Sequence, residues 1–203
     1  MVENSSRVGG IAGYVGAVGF LVAAGILTWA MVISDPGKSD AEGWGIYVVW
    51  IIAVMVGTIS TATVTHAALR RSGGVGGGLA VTALALVVIA AIGSFFAWFW
   101  FGWGVVLSVG ALLLVLRLRR AGLGATGRPS VWDWALPVAW PLGVATTMVL
   151  YATDAFEEVV DDLDWNYTVG FGVGAVLSAA ALIQFGRWLG SAPVVPAEAS
   201  AVG

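Results

Sequence analysis

The side chains best placed for chemistry are a row of hydroxyls and one imidazole. Thr58, Thr61 and Thr65 recur three and four residues apart, which puts them on one helix face, with Ser60 and Thr63 opposite and His66 just beyond. In an apolar helix such hydroxyls have two uses. Each can bond the carbonyl four residues back, or the row can line a path for an uncharged or weakly polar solute. On the second reading His66 is the gate or shuttle, histidine being the side chain that titrates nearest neutrality.

The second candidate is acidic. Between Asp154 and Asp164, helical periodicity gathers Asp154, Glu157, Glu158, Asp161, Asp162 and Asp164 on one arc and Phe156, Val159, Val160 and Leu163 on the other. The pattern predicts a short amphipathic helix lying on the outer membrane interface. No Lys or Arg occurs between Arg128 and Arg187 to offset the acidic repulsion. Water and salt can neutralise it, as for most charge runs. The alternatives are a divalent cation held by Asp154, Glu158, Asp161 and Asp162, or a docked basic partner segment. Asp162, Asp164 and Asn166 begin the D-x-D-x-N of a calcium loop, but Tyr167 stands where glycine is required and Val173 where the bidentate Glu belongs.

Gly122, Gly124 and Gly127 spell G-x-G-x-x-G, a pyrophosphate cradle when it joins a strand to a helix. The stretch from Arg117 to Trp132 has no room for that unit, so the motif does not predict dinucleotide binding. What remains is a glycine-rich loop flanked by Arg117, Arg119, Arg120 and Arg128, which attracts anionic lipid headgroups at about 1 kcal/mol per charge. The arginines can equally do no more than fix topology.

Other chemistries lack their residues. The chain has no cysteine and one histidine, which removes disulfides, thiolate metal sites, iron–sulfur clusters and multi-histidine centres. No acidic or basic residue falls clearly mid-membrane, where proton-coupled carriers usually hold one. No serine–histidine–acid set or HExxH helix presents itself. The sequence therefore predicts no cofactor, no nucleic-acid partner and no catalysis.

The elements that position these residues follow from composition. Of 203 residues, 59% are hydrophobic, a further 29 are glycine and only 10% are charged. Soluble domains carry about 25% charge, so the solvent for this surface must be a bilayer. Apolar runs long enough to cross about 30 Å of hydrocarbon lie at 8–33, 45–69, 79–97, 101–117, 132–153 and 166–188. The uncharged stretch from Leu79 to Leu116 would be about 57 Å long as one helix, so it must fold back. Trp98, Phe99, Trp100, Phe101, Gly102 and Trp103 mark the turn. Val8 to Ile33 exceeds a signal-peptide core and reads as an uncleaved first helix.

Six spans place Arg7, Arg70, Arg71, Arg117, Arg119, Arg120, Arg128 and Arg187 on one side and Lys38 on the other. The arginine side is cytoplasmic and holds both termini. Among the acidic residues only Glu3, Asp133 and Glu198 fall inside. Tryptophans at 29, 44, 98, 100, 103 and 165 mark the outer boundary, those at 132, 134 and 188 the inner one, and Trp50 and Trp140 lie deeper as packing residues.

Gly9, Gly13, Gly16 and Gly19 in the first span, and Gly170, Gly172, Gly174, Ser178 and Ala181 in the last, give smooth faces for close contact, within one chain or between chains. Pro137 and Pro141 predict a kinked fifth helix. The sequence as a whole predicts an all-α integral membrane protein, residues 1–190 forming one six-helix bundle in the inner or plasma membrane and 191–203 a disordered tail. The function expected is a non-enzymatic accessory or assembly subunit, binding a membrane-protein partner or a second copy. A small permease or channel is the alternative.

Overall fold

The computed structural model describes residues 2–33, 40–153 and 165–191, with side chains for 6–30, 45–97, 99–153 and 165–191. All regular structure among them is helical: α1 (Val2–Ile33), α2 (Asp40–Arg71), α3 (Gly78–Gly93), α4 (Trp100–Arg120), α5 (Ala135–Ala152) and α6 (Trp165–Gly190), with 3-10 turns at Ala97–Phe99 and Val131–Trp134. Five stretches are long and apolar enough to cross a membrane: Ser6–Ala30, Gly45–Arg71, Trp100–Arg120, Val131–Ala152 and Trp165–Gly190. The helices neighbour one another in chain order, and α6 closes the ring against α1.

Fit between neighbours, more than polarity, sorts inside from outside. Buried positions combine alanine, glycine and hydroxyl residues with the leucine, phenylalanine and tryptophan side chains that pack onto them, while Ile11, Val18, Ile52, Ile89, Val138, Met148 and Val176 face outward. In lipid, helices associate by dispersion, which favours small residues at contacts and leaves branched aliphatic ones to the hydrocarbon.

The glycine faces make these contacts inside the chain. A methyl on Gly13 would stand 2.6 Å from the Leu182 carbonyl and 2.7 Å from Gly186 Cα, so α1 lies backbone to backbone on α6. Gly16 and Gly19 serve α2 in the same way, against Ser60 Cβ at 2.7 Å and Gly57 N at 2.8 Å. On the far side of α6, Gly143 of α5 would meet the Gly170 carbonyl at 2.5 Å. Apart from Gly172, which has nothing within 4 Å, these glycines face the protein's own helices.

Two expectations change. The third span, expected to reach residue 97, stops at Gly93, and the connection to α4 runs over residues 94–99, so that it takes in only Trp98 and Phe99 of the expected aromatic cluster. Ser94 caps the helix end: its backbone N–H makes the last bond, to the Ala90 carbonyl, and its hydroxyl bonds the Ala91 carbonyl at 2.7 Å and pairs with Thr58 Oγ1 at 2.7 Å. Sixteen residues rise about 24 Å, short of a 30 Å core. Trp100 and Trp103, expected at the boundary, open α4 and point inward, 0% and 4% exposed.

Those indoles complete an aromatic core. Trp140 of α5 has Trp103 at 4.8 Å, Phe171 at 5.5 Å, and Phe20 and Trp100 each at 5.7 Å between centroids, and Trp50 meets Phe171 at 5.6 Å. Trp50 and Trp140 are buried packing residues, as their depth in the sequence implied. Glycine admits the rings, since Gly104 would meet Trp140 Cγ at 3.0 Å and Gly174 its Cε3 at 2.6 Å. Of the two prolines in α5, Pro137 sits in the first turn, where its missing N–H has no partner to lose, leaving Pro141 as the interior proline.

Candidate functional site

The hydroxyl row of α2 is wholly enclosed. Thr58, Thr61 and Thr65 are each fully buried. Thr58 Oγ1 donates within reach of the Val54 and Met55 carbonyls, both at 3.1 Å, besides its contact with Ser94. Thr61 Oγ1 donates to the Gly57 carbonyl at 2.8 Å. Self-bonding to the preceding turn satisfies these hydroxyls without water. Thr65 differs: its Oγ1 is buried with no hydrogen-bond partner, as are the hydroxyls of Ser108 in α4 and Ser178 in α6. His66 lies apart from the row, half-buried, and its Nε2 accepts a hydrogen bond from Arg70 Nε at 3.1 Å.

The arginine end is where charge is organised. The loop from Ala121 to Ser130 is held by Asp133, which is 1% exposed. Its carboxylate accepts the Ala125 N–H at 2.7 Å and the Ser130 N–H at 2.9 Å, and Arg119 Nε approaches at 3.4 Å. Ser130 and Asp133 form a reciprocal capping box at the 3-10 turn entering α5. Arg119 also donates to the Ser130 carbonyl at 3.2 Å and lies over the Trp134 ring at 5.0 Å. One buried acid thereby ties the end of α4, the loop and the start of α5 together.

The glycines of the G-x-G-x-x-G stretch belong to this clasp. Gly122 and Gly127 take φ of +70° and +87°, open to glycine at no steric cost. Gly124 lies so close to Asp133 that a Cβ would stand 2.5 Å from Oδ1. Turn geometry and close approach to a carboxylate account for all three. Sequence reasoning had counted Asp133 only as an acid on the cytoplasmic side; the usable signal was Ser130-x-x-Asp133 directly after Pro129.

Of the four arginines expected to meet anionic lipid, Arg119 is engaged by Asp133, Arg120 and Arg128 are exposed, and Arg117 is half-buried, its guanidinium directed at Gly73 of the α2–α3 link. Arg71 turns inward to α6. It donates to the carbonyls of Trp188, of Leu189 at 3.1 Å and of Ser191 at 3.3 Å, with its guanidinium 5.1 Å from the Trp188 ring centre. A cation on the last carbonyls of a helix satisfies acceptors the helix cannot, and complements its dipole.

The acidic stretch, with Asp154, Glu158, Asp161 and Asp162, lies outside the described residues, as does the tail from residue 192. Among the described residues no three His, Cys, Asp or Glu side chains gather as a metal site would require. Comparison with protein-family models, with characterised proteins and with solved structures gives no match to this chain.

Proposed function

We propose that the chain is a non-enzymatic accessory or assembly subunit of a membrane complex, spanning the inner or plasma membrane six times with both termini in the cytoplasm. The observation that carries this reading is the closure of the hydroxyl row. Thr58 and Thr61, the groups a polar solute would need, are buried and bonded to backbone and to Ser94. With the glycine faces used internally, partners would meet the outward aliphatic faces or the acidic segment at 154–164. Arg117, Arg120 and Arg128 would meet anionic headgroups on the cytoplasmic leaflet.

The test is mild-detergent purification of the tagged protein from its native membrane, with mass spectrometry of what accompanies it. A reproducible stoichiometric partner is expected, and a solitary protein would overturn the subunit reading. A small permease is the second reading, favoured by the buried, unpartnered hydroxyls of Thr65, Ser108 and Ser178. A liposome flux abolished by Thr65→Val and altered by His66→Ala would establish it.

A further inference from the structure

We infer that the groove between α3 and α4, at the end of the bundle away from the arginines, seats one acyl chain of a membrane lipid. The inference rests on the membrane reading above. The groove has a volume of about 470 Å³ and is lined by Ile89, Gly93, Phe96, Phe99, Trp103 and Val106 among others. That volume falls in the range of about 300–1,000 Å³ typical of small-molecule sites. It forms where α3 stops at Gly93 while α4 continues alongside, with Gly93 so close to α4 that a Cβ there would stand 3.3 Å from Trp103 Cβ.

The occupant follows from the lining and from what borders it. Water in a cavity needs two to four polar partners, and the lining side chains offer none, the Trp103 indole nitrogen being itself buried. A void of this size forfeits dispersion contacts along its whole wall. A closely packed helix from a second copy would need small residues at the rim, where instead Ile92, Phe96 and Phe99 stand 70%, 56% and 56% exposed. Those rim side chains continue the outward aliphatic belt of the other helices, so the groove opens sideways at hydrocarbon depth. A flexible hydrocarbon chain is the occupant that fits both. No charged residue occurs from Ser72 to Leu116, so the groove selects the chain and not the headgroup.

The experiment reconstitutes the full protein in vesicles containing phosphatidylcholine with a photoactivatable diazirine at mid-chain, and maps adducts by tandem mass spectrometry. Trp103 and Val106 are expected to be labelled several-fold above the fully buried Trp140, and as strongly when the probe is phosphatidylglycerol. Gly93→Leu, or Val106→Phe should that variant fail to fold, is expected to lower the Trp103 adduct several-fold while Ile52, on the outward face of α2, keeps its own. Labelling at Ile52 with Trp103 no higher than Trp140 would overturn the groove proposal and leave the membrane reading standing. Labelling that requires the anionic headgroup would also overturn it. Absence of label at Ile52 would overturn the membrane reading and the proposal together.

Discussion

Replacing Asp133 by alanine should open the α4–α5 loop without unfolding the bundle. The substitution leaves the Ala125 and Ser130 N–H groups without their acceptor and Arg119 without its carboxylate. Hydrogen bonds to a charged group contribute about 1.5–3 kcal/mol each, and losing an N-cap costs about 0.5–2 kcal/mol. Water can reach the freed groups once the loop moves, and the Arg119 side chain is 36% exposed, so its ion pair adds little. The expected cost of holding the loop closed is therefore about 2–3 kcal/mol, or roughly a 30- to 150-fold rise in the open population. Trypsin cleavage after Arg120 in detergent micelles reads that population when reclosing is fast. Gly124→Ala supplies a second arm, since its methyl would meet Asp133 Oδ1 at 2.5 Å and displace the carboxylate. The two substitutions should be strongly non-additive, with a coupling on the order of 1 kcal/mol or more. Cleavage of Asp133→Ala within about twofold of wild type, or additive effects of the pair, would refute the reasoning.

Three further outcomes follow from the packing. Gly13→Leu should destabilise the protein to denaturing detergent by about 1–3 kcal/mol or more, because it forces α1 off α6, whereas Gly172→Ala, with nothing within 4 Å, should stay within about 1 kcal/mol of wild type or stabilise. Trp140→Ala should cost about 3–5 kcal/mol in thermal unfolding. Trp140→Phe should cost clearly less, since it also deletes a buried indole N–H that has no partner, a group worth about 1–3 kcal/mol unsatisfied. Arg71→Met should increase hydrogen exchange at the end of α6 by about tenfold, for loss of roughly 1.4 kcal/mol of carbonyl capping, and Arg71→Lys should restore only part, because one ammonium cannot span three carbonyls and lie on the Trp188 ring.

The positions of the helices were legible along the chain because transfer from water to hydrocarbon is decided residue by residue, and a run of such residues needs no knowledge of its neighbours. The bounds of α4, α5 and α6 fall within three residues of the expected spans, while α1 and α2 begin six and five residues earlier than expected because the helices continue through Glu3, Arg7, Asp40 and Glu42. The end of α3 was not legible. No charge marks it, and the Ser94 hydroxyl at that end meets Thr58, 36 residues away, a contact no local pattern records.

Rotation of each helix about its own axis was equally hidden. Where nearly every side chain is apolar, hydropathy no longer separates a lipid-facing residue from a buried one, and the deciding variable becomes size and fit. The sequence by itself determined that this chain is a bundle of apolar helices with its arginines gathered at one end. Tertiary structure alone decided that the glycines of α1 serve α2 and α6, that Trp100 and Trp103 turn inward, and that Asp133 is a buried clasp. Each of these is a contact between residues far apart in sequence or in separate elements, and side-chain shape, which no one-dimensional pattern records, selects it.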